Sequence, residues 1–147
     1  MKLSPRRLLS ISAVLMLLTA FAHTTGNLMP SDPSLIDAET RMRGYRFDFG
    51  LGMSPSMFDV FMLLVLIMTV TFIAFGVLNL ALANARDFPD RLLRPIVWIN
   101  VVWVAVFIAL CWFYRAPPPL ISGVVIEIPL MAALLVRNPG SSRSRRR

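Results

Sequence analysis

The sequence is poor in the residues that most catalytic and metal sites need. It holds one cysteine, Cys111, and one histidine, His23, in 147 residues. A lone cysteine closes no internal disulfide, and one cysteine with one histidine cannot complete a conventional zinc site. Cys111 lies within an apolar run with no activating base beside it, and reads as a small buried hydrophobe. There is no P-loop, no dinucleotide-binding glycine pattern and no HExxH segment. Nothing in the chain calls for a metal or any other cofactor, and no catalytic residue can be named. Internal repeats are absent, and low complexity is confined to an arginine-rich tail.

Apolar sequence is abundant. The chain is 56% hydrophobic with a mean hydropathy of +0.68. A soluble domain of this size could not hide that much apolar surface. Four apolar blocks cover residues 8–23, 57–83, 95–114 and 120–136. A span needs about 20 apolar residues to cross a hydrocarbon core of about 30 Å. The second and third blocks meet that outright, and the first and fourth do so with help from their flanks. The expected fold is all-α: an integral membrane four-helix bundle in one domain over residues 1–137, with a disordered basic tail over 138–147.

The net charge of +7 sits mostly in loops and tails. That points to topology and anionic lipid headgroups rather than to nucleic acid. Four spans put both termini on one side, together with Lys2, Arg6, Arg7, Arg86, Arg91, Arg94, Arg137, Arg143, Arg145, Arg146 and Arg147. The other side keeps Arg41, Arg43, Arg46 and Arg115. Eleven basic residues against four place both termini in the cytoplasm of a plasma (bacterial inner) membrane. The first block has a rival reading. A basic start, an apolar core over 8–20 and Ala20-Phe21-Ala22 form a signal-peptide pattern, with cleavage after Ala22. Cleavage would leave three spans in the same orientation.

Ser12, Met16, Thr19 and His23 recur at helical spacing in the first span and should face other helices. Residues 23–56 form the long outer segment, expected to be structured. Within it, Met29-Pro30-Ser31-Asp32-Pro33 reads as a turn, and Ser34 as the cap of a short helix toward Arg43 with Asp37 at its third position. Ser56 caps the second span, with Asp59 three residues on. Pro95 starts the third span, since proline sits well in a first turn. Trp112, Phe113 and Tyr114 form an interfacial belt. Ala116-Pro117-Pro118-Pro119 reads as a stiff connection to the fourth span.

Polar residues inside apolar blocks are the site candidates. Glu127 is the eighth residue of the fourth block, about 10 Å below its outer boundary. An acid there must be neutral, paired or wetted, and serves either as a proton-binding or ligand-binding group or as a protonated acid bonded to a neighbouring helix. Pro129 weakens the helix close to it. His23 is a proton carrier or a polar anchor, or is satisfied by water or by Asp59. Asp59 is first a helix cap. With Thr19, these three make the candidate ligand-binding or proton-binding set. Asn79 and Asn100 suit an interhelical contact. A Ser-His-Asp set drawn from Ser56, His23 and Asp59 rests on composition alone.

Several short runs carry a resemblance: Ala22-His23-Thr24-Thr25-Gly26, Met42-Arg43, Phe47-Asp48, Gly52, Ser54 and Met57-Phe58-Asp59-Val60-Phe61. Over roughly residues 10–80 the chain resembles a family of small, uncharacterised bacterial four-span membrane proteins. These carry a [GA]-H-T-x-G segment at the end of the first span. Where relatives have an Arg-Ser-Tyr-Trp-Asp-Phe-like run, this chain has Pro55-Ser56-Met57-Phe58-Asp59-Val60. The resemblance implies the architecture and a retained first span.

The functional expectation is a non-enzymatic multi-pass protein that binds a lipid-like or small apolar ligand, or a partner protein, between its helices. The rivals are a small proton-coupled transporter or membrane isomerase-type enzyme using Glu127 with His23 as relay, and a structural subunit of a membrane complex. The sequence leaves the oligomeric state open.

Overall fold

The computed structural model describes residues 4–29, 32–48, 50 and 52–136. The turn expected around Pro30 and Ser31 lies partly outside these residues, and the basic tail lies wholly outside them. The chain is all-α: α1 (Pro5–Leu28), α2 (Ile36–Gly44), α3 (Met57–Asn84), α4 (Asp90–Phe113) and α5 (Pro117–Leu135). A 3₁₀ turn, Pro33–Leu35, precedes α2. All but α2 are long and apolar enough to cross a membrane.

Local chemistry sets the helix ends. Ser4 accepts a hydrogen bond from the Arg7 amide, with Pro5 at the first position of α1. At the start of α3, Ser56 Oγ accepts from the Asp59 amide (3.1 Å), and the Asp59 carboxylate accepts from the Ser56 amide (2.8 Å). At its far end the Arg6 guanidinium, from α1, donates to the carbonyls of Ala85 (2.6 Å) and Phe88. One arginine thus ties the start of α1 to the α3–α4 turn.

Three boundaries differ from the sequence reading. The side-chain cap in this segment is Asp32, which caps the 3₁₀ turn: its carboxylate accepts from both the amide and the hydroxyl of Ser34. Those bonds favour the charged carboxylate and hold Asp32 below its usual range. Ser34 lies inside the 3₁₀ turn, and no side chain caps α2. Helix α4 starts five residues before Pro95, which lies inside it. Asp90-Arg91-Leu92-Leu93-Arg94 contains good helix formers, and the proline falls before the apolar stretch begins. Helix α5 starts at Pro117, so the three prolines form its first turn. A first turn has no intrahelical use for those N–H groups, so their absence leaves no orphan donor near hydrocarbon.

Helix α1 packs along α3 and α5, and α4 packs along α5. The buried residues of α3 are Thr69, Phe72, Gly76, Asn79 and Ala83, three or four apart. A Cβ on Gly76 would lie 2.8 Å from Leu17 Cγ and 3.1 Å from the Ala13 carbonyl, so glycine lets α1 and α3 approach closely. Gly123 plays the same part between α5 and Ile108 of α4, at 2.8 Å. Helices α3 and α4 meet through long side chains instead. The Phe75 and Trp103 rings stack at 4.9 Å, and Phe72 meets Trp103 edge-on at 5.1 Å. Deeper, Asn79 Nδ2 donates to Asn100 Oδ1 (2.7 Å) and Asn100 Nδ2 donates back to Asn79 Oδ1 (3.1 Å). The outward face of α3 exposes Leu63, Leu64, Leu66, Ile67 and Val70, an apolar surface suited to lipid.

The segment between α1 and α3 folds onto the start of α3. The Arg43 guanidinium lies 3.7 Å over the Phe58 ring and also bonds Glu39. An isolated antiparallel bridge joins Arg46 to Ser56, and Arg46 donates to the Ser54 carbonyl. Gly50 and Gly52 turn this loop with positive φ.

Candidate functional site

The four long helices leave a cleft of about 300 Å³ between the last turns of α1 and the first turns of α5. Helix α1 contributes Thr19, Ala22, His23, Gly26 and Asn27. Helix α3 contributes Met68 and Phe72, α4 contributes Phe107, and α5 contributes Pro118, Pro119 and Ser122. Apolar rings and a thioether thus face two hydroxyls, an imidazole and an amide. Such a lining suits a small ligand with an apolar body and one polar group.

His23 is fixed by its neighbours. Its Nδ1 lies 2.9 Å from Thr69 Oγ1, across the α1–α3 contact. The Thr69 hydroxyl also reaches the Val65 carbonyl (3.1 Å), and the Asn27 amide nitrogen lies 3.4 Å from the same His23 Nδ1, so the ring tautomer decides which of these groups donates. Asn27 donates to the His23 carbonyl at 2.7 Å. Thr69 is half of this arrangement and was missed in the sequence. Its only signal is its place three residues before Phe72 on the buried face of α3.

The expected set is not assembled as one site. Thr19 and His23 share the cleft. Asp59 is exposed and engaged in capping α3, so it does not satisfy His23. Thr69, which holds His23, lies thirteen residues beyond Ser56, about 20 Å along the helix. The Ser56–His23–Asp59 arrangement is therefore not formed.

Glu127 lies elsewhere again. Because α5 begins at Pro117, Glu127 is its eleventh residue, about 15 Å from that end rather than about 10 Å. It is level with the middle of the helix and does not line the cleft. Its Oε2 is buried with no hydrogen-bond partner among the described residues. Asn79 and Asn100 are 0% and 2% exposed, and Asn100 also donates to the Ile96 carbonyl. No group of three or more potential metal ligands occurs among the described residues.

No family model, curated protein or solved structure matches this chain. Its chemistry is therefore read from its own residues.

Proposed function

We propose that this is a multi-pass protein of the plasma membrane, a four-helix bundle with both termini cytoplasmic, that binds a small apolar or lipid-like ligand in the His23 cleft. The observation that carries this reading is that all four long helices contribute to one cleft whose lining mixes Phe72 and Phe107 with Thr19, His23 and Ser122. The ligand's polar group meets His23 Nε2 or the hydroxyls, and its apolar body lies on the rings. Ala22, His23 and Gly26 line this cleft, which supports a role for that run in binding.

Trp103 reports on the cleft, because its ring packs on both Phe72 and Phe107. In a Trp98→Phe, Trp112→Phe background, bromohexanol should quench Trp103 with saturation. Ala22→Phe should fill the cleft and abolish the saturable part. Quenching that rises linearly with partitioning, or that ignores Ala22→Phe, would sink the reading.

One observation favours a second reading, proton coupling through Glu127. An acid with a buried, unpartnered oxygen at mid-helix is a group that can take up and release a proton within a span. A hydrophobic carbodiimide should then label Glu127 in the folded protein, and Glu127→Gln should remove proton uptake without unfolding it. Absence of labelling would remove this reading.

A further inference from the structure

The turn between α4 and α5 carries a feature that the His23 cleft does not use. Arg115 has φ +52°, the one positive φ among the described non-glycine residues. It closes α4 in a Schellman motif: the Ala116 amide donates to the Cys111 carbonyl (2.9 Å) and the Arg115 amide to the Trp112 carbonyl (3.2 Å). Glycine usually fills this position, because a Cβ is crowded there. Arginine adds a side chain at the cost of strain, and that side chain is uncommitted. At this end of the helices Arg41 pairs with Asp37, Arg43 with Glu39 and Phe58, and Arg46 with the Ser54 carbonyl. Among the described residues, Arg115 is the one arginine of this group without a partner.

Arg115 also lines a cleft of about 410 Å³ with Cys111, Trp112, Ala116, Pro117 and Leu120. This lining shares no residue with the His23 cleft and holds no carboxylate. Trp112, Phe113 and Tyr114 are each about three-quarters exposed, as aromatic residues at headgroup level are. The three prolines that open α5 have no N–H to offer an anion, so the donors in this lining are the side chains of Arg115 and Trp112, and only the guanidinium is charged.

We propose that this cleft binds an anionic phospholipid, with the phosphate on Arg115 and the start of an acyl chain against Trp112, Pro117 and Leu120. A guanidinium presents two parallel N–H donors to a phosphate. The left-handed backbone fixes where the arginine stem leaves the helix end, above an apolar floor. The site stands independently of the His23 ligand.

The test uses the full chain in detergent with equimolar phosphatidylglycerol and phosphatidylcholine, bound lipid being counted by native mass spectrometry. The wild type should prefer phosphatidylglycerol by about fivefold or more, the factor expected for one basic residue at an anionic surface. Arg115→Gln should bring the two lipids to parity without changing the melting temperature. Arg115→Gly should also give parity while raising the melting temperature, because glycine relieves the strain. Parity in the wild type, or a preference that survives both substitutions, overturns the proposal. Displacement of phosphatidylglycerol by millimolar inorganic phosphate overturns the lipid assignment in favour of a free phosphate.

Discussion

Replacing Asn79 with leucine should cost about 2–3 kcal/mol of stability. The figure follows from the reciprocal amide pair. Two hydrogen bonds to Asn100 are lost, each worth about 0.6 kcal/mol between helices in a membrane. Asn100 Nδ2 keeps the Ile96 carbonyl, but its Oδ1 is left buried without a partner. That orphan adds about 1–2 kcal/mol. Asn100→Leu should cost at least as much, since Asn79 would then keep only the Met16 sulfur at 3.7 Å. The double variant leaves no orphan, so the two costs should not add. On these terms the pair is lost once rather than twice and both orphan penalties vanish, so a coupling of about 3 kcal/mol is expected in a double-mutant cycle, read from unfolding in mixed micelles by tryptophan fluorescence. Additivity within about 0.5 kcal/mol would mean that the amides do not pair, and the α3–α4 register described above would be wrong.

Three further substitutions test the packing and the site. Gly76→Ala should lower stability by about 1–3 kcal/mol, because the new Cβ meets Leu17 and the Ala13 carbonyl; a neutral result in the same unfolding assay would contradict the close α1–α3 crossing. Gly123→Ala places a Cβ 3.2 Å from the Phe107 ring and 2.8 Å from Ile108, so it should weaken bromohexanol quenching of Trp103 more than it lowers stability. Ser56→Ala should cost about 1 kcal/mol and speed hydrogen exchange at the Asp59 amide, whose partner it removes; unchanged exchange would dismiss the cap.

The helices were legible because length and unbroken apolarity leave few alternatives to a span. Their ends were less so. Proline is tolerated at a helix start, yet Pro95 lies inside α4, whereas Pro117 opens α5 rather than merely leading to it. Asp32 and Ser34 are both good caps two residues apart, and sequence alone could not choose between them. Asn79 and Asn100 stand out because amides are scarce in apolar runs. Thr69 does not, since a threonine can return its hydrogen bond to its own helix and pass unnoticed. Its partner His23 is 46 residues away, and only the crossing of α1 and α3 joins them. Phe72 and Phe107 are ordinary residues of a span until packing places them around one cleft. Asp59 and Glu127 drew notice as acids, but helix capping and depth decide their places, and neither lines the cleft.

The intact and native mass of the purified chain tests the central claim most directly. The account predicts a chain that retains its first helix, since Thr19, Ala22 and His23 help line the cleft. It also predicts a co-purified small apolar molecule that Ala22→Phe removes. A mass beginning at His23, or a chain that binds no such molecule in either form, would contradict it.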